Sequence, residues 1–310
     1  MHNVIIIGSG PAGHTAALYL ARANLSPLLF EGTSSDTLFP GGLLTTTKIV
    51  ENYPGFPEGV DGYELTERFK NQSTRFGTTI ISETILSITA MDDGTFEVHT
   101  DKNTMYQTKS IIIATGSTPH RLYVPGYDTF WHKGISTCAI CDAGLPCFRN
   151  VPIAVVGGGD SACEEALHIS RTASVVYLIH RRNTLRASKI MIDRVLSNPK
   201  IIPLWDREVV RICGDKHVEM IQVKNKNTDD VSDLYVRGLF VAIGHQPNSS
   251  FVSNLVDIDE TGYIKTNRSM ETSCKGIWAA GDIQDPKYRQ AITAASSGCM
   301  AALEVERWLR

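Results

Sequence analysis

Residues 3–23 read NVIIIGSGPAGHTAALYLARA: branched aliphatics, then Gly8-x-Gly10-x-x-Gly13, then the apolar spacing of an amphipathic helix. This is the strand, glycine turn and helix of a dinucleotide-binding unit. Glycines let the backbone turn tightly and approach a pyrophosphate, which the helix N-terminus attracts through its unpaired amides and its dipole. A second strand, LSPLLFE at 25–31, ends in Glu31, 23 residues past Gly8. A carboxylate there suits the two hydroxyls of an adenosine ribose.

The same plan recurs at residues 151–169, VPIAVVGGGDSACEEALHI, where Gly157-x-Gly159-x-x-Ala162 follows a strand and opens a helix. The next strand, ASVVYLIHRR, reaches His180, again 23 residues past the first glycine, and carries no acid but His180, Arg181 and Arg182, with Arg186 close behind. A carboxylate would repel a 2'-phosphate, whereas an arginine fork would hold it. The first site therefore reads as one for a plain adenine dinucleotide and the second as one for NADP(H). One glycine triplet could be a tight turn with a close helix crossing; two placed copies with opposite ribose readers are far more specific.

Each copy continues through short alternating strands, TTIISETILSITA and TFEVHT in the first, EVVRIC and HVEMIQV in the second. An aliphatic strand then enters a glycine turn, at Gly116 in IIIATGSTP and at Gly244 in LFVAIGHQP. The tail, residues 275–309, has a strand, a Gly281-Asp282 turn and a long helix rich in small residues, but no fingerprint, so it must complete one of the earlier sheets. The expected fold is α/β, with two Rossmann-like dinucleotide-binding domains, each with a small β-meander. The first domain is expected at 1–117 and 247–310, with the second, 118–246, inserted into it.

A chain of 310 residues suits about two domains. With 30 basic and 33 acidic side chains, net −3, it shows neither a nucleic-acid footprint nor a polybasic membrane patch. The N-terminus lacks a basic leader region, and no stretch approaches about 18 unbroken apolar residues, so a cytoplasmic, unprocessed protein is expected. The cysteines number seven and are scattered apart from Cys138 and Cys141, which argues for a reducing compartment.

Cys138-Ala139-Ile140-Cys141 could in principle hold a metal, staple a loop or pass electrons. Zinc needs further ligands, the nearest being Cys147 and His132, and there is no second CxxC, so no metal is expected. A CxxC ring is small and readily reduced, so structural staples seldom use it. For electron transfer, Ser136 or Thr137 can cap a short helix containing both cysteines, and a helix N-terminus lowers a thiol pKa. Gly144 and Pro146 then end that helix. Asp142 adjoins the pair and can give or take the proton each exchange requires, although a solvated turn aspartate is the plain alternative. Cys147, Cys163, Cys213, Cys274 and Cys299 read as packing residues.

Together GSGPAG, GGLLTTT, VENYPGFPEG, ATGSTP, CAICD, VVGGGDSACEEA, HRRNTLRAS, AIGHQPN and the tail segment resemble the low-molecular-weight thioredoxin reductases, among the flavoprotein pyridine nucleotide-disulfide oxidoreductases. The resemblance spans essentially the whole chain. It implies FAD in the first and last segments, with Gly8, Gly10 and Gly13 at the pyrophosphate and Glu31 on the ribose next to adenine. Gly41, Gly42, Thr47 and Asn52 would lie along the flavin side, with Gly116 at the adjoining turn. Gly281 and Asp282 would meet the ribityl chain, and Arg289, Gln290 and Ala291 would begin the helix facing the ring. In the insert, Gly157, Gly159 and Ala162 would line the NADPH pyrophosphate, and Arg181, Arg182 and Arg186, beside His180, would take the 2'-phosphate.

The resemblance also implies the reaction: a hydride from NADPH to flavin, two electrons to the Cys138/Cys141 disulfide, then exchange with thioredoxin or a thioredoxin-like protein. Cys141 would face the flavin, Cys138 attack the partner and Asp142 serve as acid/base, in a homodimer, with an NADPH oxidase or diaphorase side activity allowed. The chain departs from the family at Leu43 for glutamine, Lys48 for threonine, Asn183 and Leu185 for aspartate and phenylalanine, and Ala143 for glycine. Two rivals stand beside this reading: a flavoenzyme that does not use NADPH, against which the arginines speak, and a redox sensor without turnover.

Cys141 precedes Gly157 by only 16 residues, so the cysteines and nicotinamide share a domain. The resemblance implies a rotation of the insert about linkers near 117–120 and 245–248 that alternates them over the flavin. Cross-linking the two domains is therefore expected to suppress turnover, and unchanged turnover would remove the rotation from the mechanism.

Overall fold

Ile5, Ile6 and Ile7 can all be apolar because their strand lies between two parallel neighbours, Leu28–Phe30 and Ile111–Ile113, and both of its faces are covered. The computed structural model describes residues 1–34, 39–47 and 49–310. Lys48, the departure in the GGLLTTT segment, lies outside the described residues. The chain divides into two compact units, Met1–Thr118 with Gln246–Arg310, and Pro119–His245.

In the first unit five parallel strands run in the order Ile277–Ala279, Ile111–Ile113, Ile5–Ile7, Leu28–Phe30, Thr79–Ile81. The tail thus completes this sheet from the far end of the chain. Side chains alternate across it: Ile6, Leu29 and Ile112 pack with Ala12, Ala16, Ala17, Ala301 and Ala302 of the helices Pro11–Arg22 and Ala291–Trp308. Ile5, Ile7, Phe30 and Ile113 pack instead with Phe96 and Val98 of an antiparallel meander, Ile85–Ala90, Phe96–Thr100 and Met105–Thr108.

The second unit repeats the plan. Its parallel sheet runs Ile201–Trp205, Val175–His180, Pro152–Gly157, Gly238–Ala242, Ile135–Ser136. One face carries the helices Asp160–Ile169 and Lys189–Leu196, and the other the meander Arg207–Gly214, Val218–Asn225 and Val231–Tyr235. Leu185, one of the departures, is buried in the helix-side cluster. Among the described residues no helix is long and apolar enough to cross a membrane.

Residues 78–90 read in the sequence as one strand of the meander, but the structure divides them. Thr79–Ile81 pairs in parallel with Leu28–Phe30, and a separate antiparallel strand starts at Ile85. The break lies where side chains compete with the ladder: Ser82 Oγ donates to Glu31 at 2.6 Å and the Thr84 amide to Asp101 Oδ1 at 3.0 Å. The helix Gly62–Arg75, capped by Asp61, which accepts from the Glu64 amide at 3.1 Å, is an element that the motif-led reading passes over.

The first and last helices cross where Gly298, with no side chain, lies against the backbone of Ala12. A Cβ on Gly298 would lie 2.2 Å from the Ala12 carbonyl oxygen. Gly298→Ala must push the helices apart and is expected to cost about 1–3 kcal/mol in denaturant unfolding. Gly144→Ala, whose added methyl would meet nothing within 4 Å, is the control and should change stability by less than about 0.5 kcal/mol.

Candidate active site

At the first turn the backbone closes on itself. A Cβ on Gly8, where φ is +111°, would lie 2.2 Å from Ala114 O, and one on Gly13 would lie 1.9 Å from Gly8 O. The helix therefore starts directly at the strand end, with Pro11 in its first turn and no side chain capping it at Gly10, so its leading amides face outward. Ser9 Oγ accepts the Gly41 amide at 2.8 Å and ties the Gly41-Gly42 turn to this loop. Around Gly10 the nearest atom to an added Cβ is Gly41 O at 3.6 Å, and around Gly42 there is none within 4 Å. These open positions beside the leading amides of the helix fit a dinucleotide pyrophosphate.

Glu31 sits at the end of the second strand. Its Oε2 accepts from Lys70 Nζ at 2.8 Å and its Oε1 from Ser82 Oγ at 2.6 Å. Burial works against the charged form, but the hydrogen bonds of Lys70 and Ser82 and the Lys70 charge hold Glu31 below the usual carboxylate range. His14, beneath the loop, contacts Ser73 Oγ at 3.1 Å; burial, then Lys70, pushes its imidazole down to about 4.

The tail residues converge on the same unit. The Gly281 amide donates to Ser297 Oγ at 2.8 Å, and an added Cβ on Gly281 would meet Ala12 Cβ at 2.9 Å, so this turn abuts the first helix. Burial, then the Asp285 carboxylate, outweighs Arg289 and pushes Asp282 up to about 7. Gln290 forms a capping box with Thr293 ahead of Ala291, and Asn52 Nδ2 donates to Gln290 Oε1 at 3.2 Å. Thr47 accepts the Gly62 amide through its carbonyl at 2.9 Å. Gly116 has a left-handed φ of +67°, and its carbonyl accepts the Asn248 amide at 3.0 Å.

The second turn repeats the closure with a different lining. A Cβ on Gly157 would meet Ala242 O at 2.4 Å and Ala162 Cβ at 2.6 Å, while Gly159 is open at the start of its helix. His180 is buried with its ring where a Gly158 Cβ would stand, at 2.1 Å, so it supports the loop from below. Burial, with Arg186 and Arg182 adding to it against two backbone hydrogen bonds, lowers its pKa. Arg181, Arg182 and Arg186 are exposed, and among the described residues none forms an ion pair. The Arg186 amide donates to Gly158 O at 2.6 Å, and Asp160 accepts from Ser188 N and Oγ at 3.0 and 2.7 Å, fixing the arginine segment to the turn.

Cys138 and Cys141 form a disulfide at the start of the four-residue helix Ala139–Asp142. Neither Ser136 nor Thr137 caps that helix. Cys138 itself is the cap, in extended conformation at φ −143°, with its Sγ accepting the Cys141 amide at 3.2 Å. Ser136 is otherwise engaged: its Oγ accepts the Cys138 amide at 3.1 Å and donates to Asp142 Oδ2 at 2.6 Å. Burial raises the Asp142 carboxyl above its usual range, opposed by this hydrogen bond. Ala143, at φ −62° and ψ −21°, has an ordinary helical backbone and is buried in the core, so no glycine is required there. Among the described residues no three potential metal ligands cluster. Cys163 is buried under its helix, and burial first pushes its thiol up to about 11.

Most of these residues announce themselves by spacing. Lys70, Ser82, Ser73 and Ser297 do not, because each reaches its partner only through the tertiary fold.

Two Rossmann-like units, one carrying a CxxC disulfide beside a buried carboxyl, define a dinucleotide-dependent disulfide oxidoreductase. The family model for pyridine nucleotide-disulphide oxidoreductases matches residues 2–298, and the chain belongs to that family. It is 51% identical to thioredoxin reductase 2 of Arabidopsis thaliana, over 99% of this chain and 82% of that one, and 50% identical to thioredoxin reductase of Schizosaccharomyces pombe, over 99% and 97%. Among solved structures it matches thioredoxin reductase from Giardia duodenalis with a TM-score of 0.92 and 38% identity, covering 99% of this chain and 98% of that one.

Ser136→Ala removes the donor that favours the Asp142 carboxylate. Asp142 should then keep its proton to higher pH, by about one unit, read from the carboxyl infrared band; an unchanged or lower midpoint would show that Ser136 does not control it.

Proposed function

We propose that this protein is an NADPH-dependent thioredoxin-disulfide reductase. The observation that carries the reading is the Cys138–Cys141 disulfide, held at a helix start with Asp142 on the same four-residue turn, in a chain with two dinucleotide turns of opposite charge lining. Residues 1–117 and 247–310 would hold FAD, through Gly8, Gly10, Gly13, Glu31, Gly41, Gly42, Thr47, Asn52, Gly116, Gly281, Asp282, Arg289, Gln290 and Ala291. Residues 118–246 would hold NADPH, through Gly157, Gly159 and Ala162 at the pyrophosphate and the three arginines at the 2'-phosphate. A bound FAD supplies a two-electron relay between the NADPH hydride and the disulfide.

The rest is chemistry of this chain's own side chains. Two electrons and two protons convert Cys138–Cys141 to a dithiol. The Cys138 thiolate attacks one sulfur of the partner's disulfide, forming a mixed disulfide and expelling the partner's other sulfur as a thiolate. Cys141 then attacks Cys138, re-forming the internal disulfide and releasing the reduced partner. Asp142, with its pKa raised by burial, holds a proton at a pH where an exposed carboxylate has lost it, and can pass it to a departing thiolate. The leading amides of the short helix stabilise negative charge on a cysteine sulfur at its N-terminus. We read the acceptor as thioredoxin and the working form as a homodimer in the cytoplasm.

The deciding experiment is NADPH-dependent reduction of thioredoxin disulfide by wild type, Cys138→Ser and Cys141→Ser. Both variants should lose it and keep at most NADPH oxidase or diaphorase activity; full activity in either would sink the reading. In Arg181→Ala/Arg182→Ala, the preference for NADPH over NADH in the rate of flavin bleaching should fall by about 1–3 kcal/mol.

A further inference from the structure

The scheme above asks Glu31 to accept hydrogen bonds from a neutral diol, although its side chain is only 9% exposed. An enclosed carboxylate with no cation beside it takes up a proton, and a protonated carboxyl offers a donor where an acceptor is needed. The dinucleotide fingerprint itself contains no cation for this purpose. The cation comes from the helix Gly62–Arg75, whose Lys70 Nζ stands 2.8 Å from Oε2.

The geometry around the pair is that of a fixed acceptor. Lys70 occupies one direction on Oε2, and Ser82 occupies one on Oε1 at 2.6 Å. A carboxylate has about four acceptor directions, so two remain for a pair of hydroxyls. The helix bearing Lys70 is held against the glycine loop, since Ser73 Oγ donates to Lys70 O at 3.0 Å and meets His14 Nδ1 at 3.1 Å. Among the described charged groups, Lys70 and His14 act on Glu31, and Glu31, Glu67, Tyr63 and His14 interact with Lys70. His14 is neutral above about pH 4, which leaves Lys70 as the cation facing Glu31.

We infer that Lys70 is a positioning residue of the adenine-dinucleotide site, keeping Glu31 ionised and fixed so that it can accept both ribose hydroxyls. This rests on the reading of Glu31 as the ribose acceptor. A third element, outside both fingerprint and tail, then completes the flavin site. It also explains why a lysine beside that acid does not turn the site toward a 2'-phosphate: its charge is already paired within the protein.

The test is the FAD dissociation constant of the full-length flavoprotein between pH 5 and 8, read from the fluorescence of flavin released on dilution. Wild type and Lys70→Arg should bind alike at every pH. Any drift common to both belongs to Asp282, which titrates at about 7 in the same site, so the other variants are read as the ratio to wild type at the same pH. Lys70→Met and Lys70→Gln should bind more weakly, and the loss should grow about tenfold from pH 8 to pH 5 as Glu31 takes up a proton. Lys70→Gln keeps a donor without a charge, so it decides the matter if Lys70→Met folds poorly. A loss of equal size at every pH would show a packing role and overturn the inference, as would unchanged or tighter binding. Glu31→Gln separates the two levels: if it binds FAD as tightly as wild type, the ribose reading itself fails, whereas weak binding there with a flat Lys70→Gln profile rejects the Lys70 inference alone.

Discussion

At both dinucleotide turns the carbonyl of a neighbouring strand takes the space a side chain would need, Ala114 O against Gly8 and Ala242 O against Gly157. That contact is possible only if the strand, turn and following helix are packed backbone on backbone. It puts the helix N-terminus directly at the carboxyl end of the strand, where amides and dipole favour an anion. The small residues of the first helix follow from the same demand, since the last helix must approach Ala12 closely enough for Gly298 to touch its carbonyl. Core and binding loop are thus one packing problem, and a methyl group added at Gly8 or Gly157 would displace the sheet.

Charge separates two turns that the backbone makes alike. The acid at the first is paired within the fold, by an ion pair with Lys70 at 2.8 Å and a hydrogen bond from Ser82 at 2.6 Å. The bases at the second, Arg181, Arg182 and Arg186, are left exposed and without ion pairs among the described residues. A neutral ribose suits the first arrangement because little charge needs to be desolvated or repaid. A phosphate dianion suits the second, because mutually repelling guanidinium groups gain most from a ligand that cancels them. His180 belongs to neither exchange, being buried beneath Gly158, where burial disfavours its charged form.

Periodicity and glycine spacing made the two sheets, both turns and the completing tail strand legible in the sequence, because those features are local. What was not legible depends on contacts made after folding. The stretch at 78–90 reads as a single strand, yet Glu31 and Asp101, both distant in sequence, draw Ser82 and Thr84 out of the ladder. Ser136 looks like a cap from its position, yet its hydroxyl is bound to Asp142 and the cap is Cys138. His180 looks like part of a phosphate clamp because it precedes two arginines. His180 is the last residue of a strand covered on both faces, so it is buried, while the arginines beyond the strand end stay in solvent. Lys70 carries no signal, since a lysine on an exposed amphipathic helix reads as solvated surface.

The alanine after the CxxC has a consequence for how the disulfide can move. Ala139 and Ala143 of the short helix and Ala162, Cys163 and Ala166 of the helix after Gly157 lie in one buried cluster with Ile153, Val155 and Phe240 of the sheet. Thr172 Oγ1 donates to Ala143 O at 3.1 Å and adds a polar tie from the end of that second helix. A close-packed cluster does not shear by several ångströms without opening cavities, each costing roughly 1 kcal/mol or more for a lost methyl contact. The dithiol and the second dinucleotide turn are therefore parts of one rigid body. A displacement of Cys138 by several ångströms must carry Gly157 and its helix with it. Ala143 adds its methyl to that cluster and so ties the end of the short helix to it.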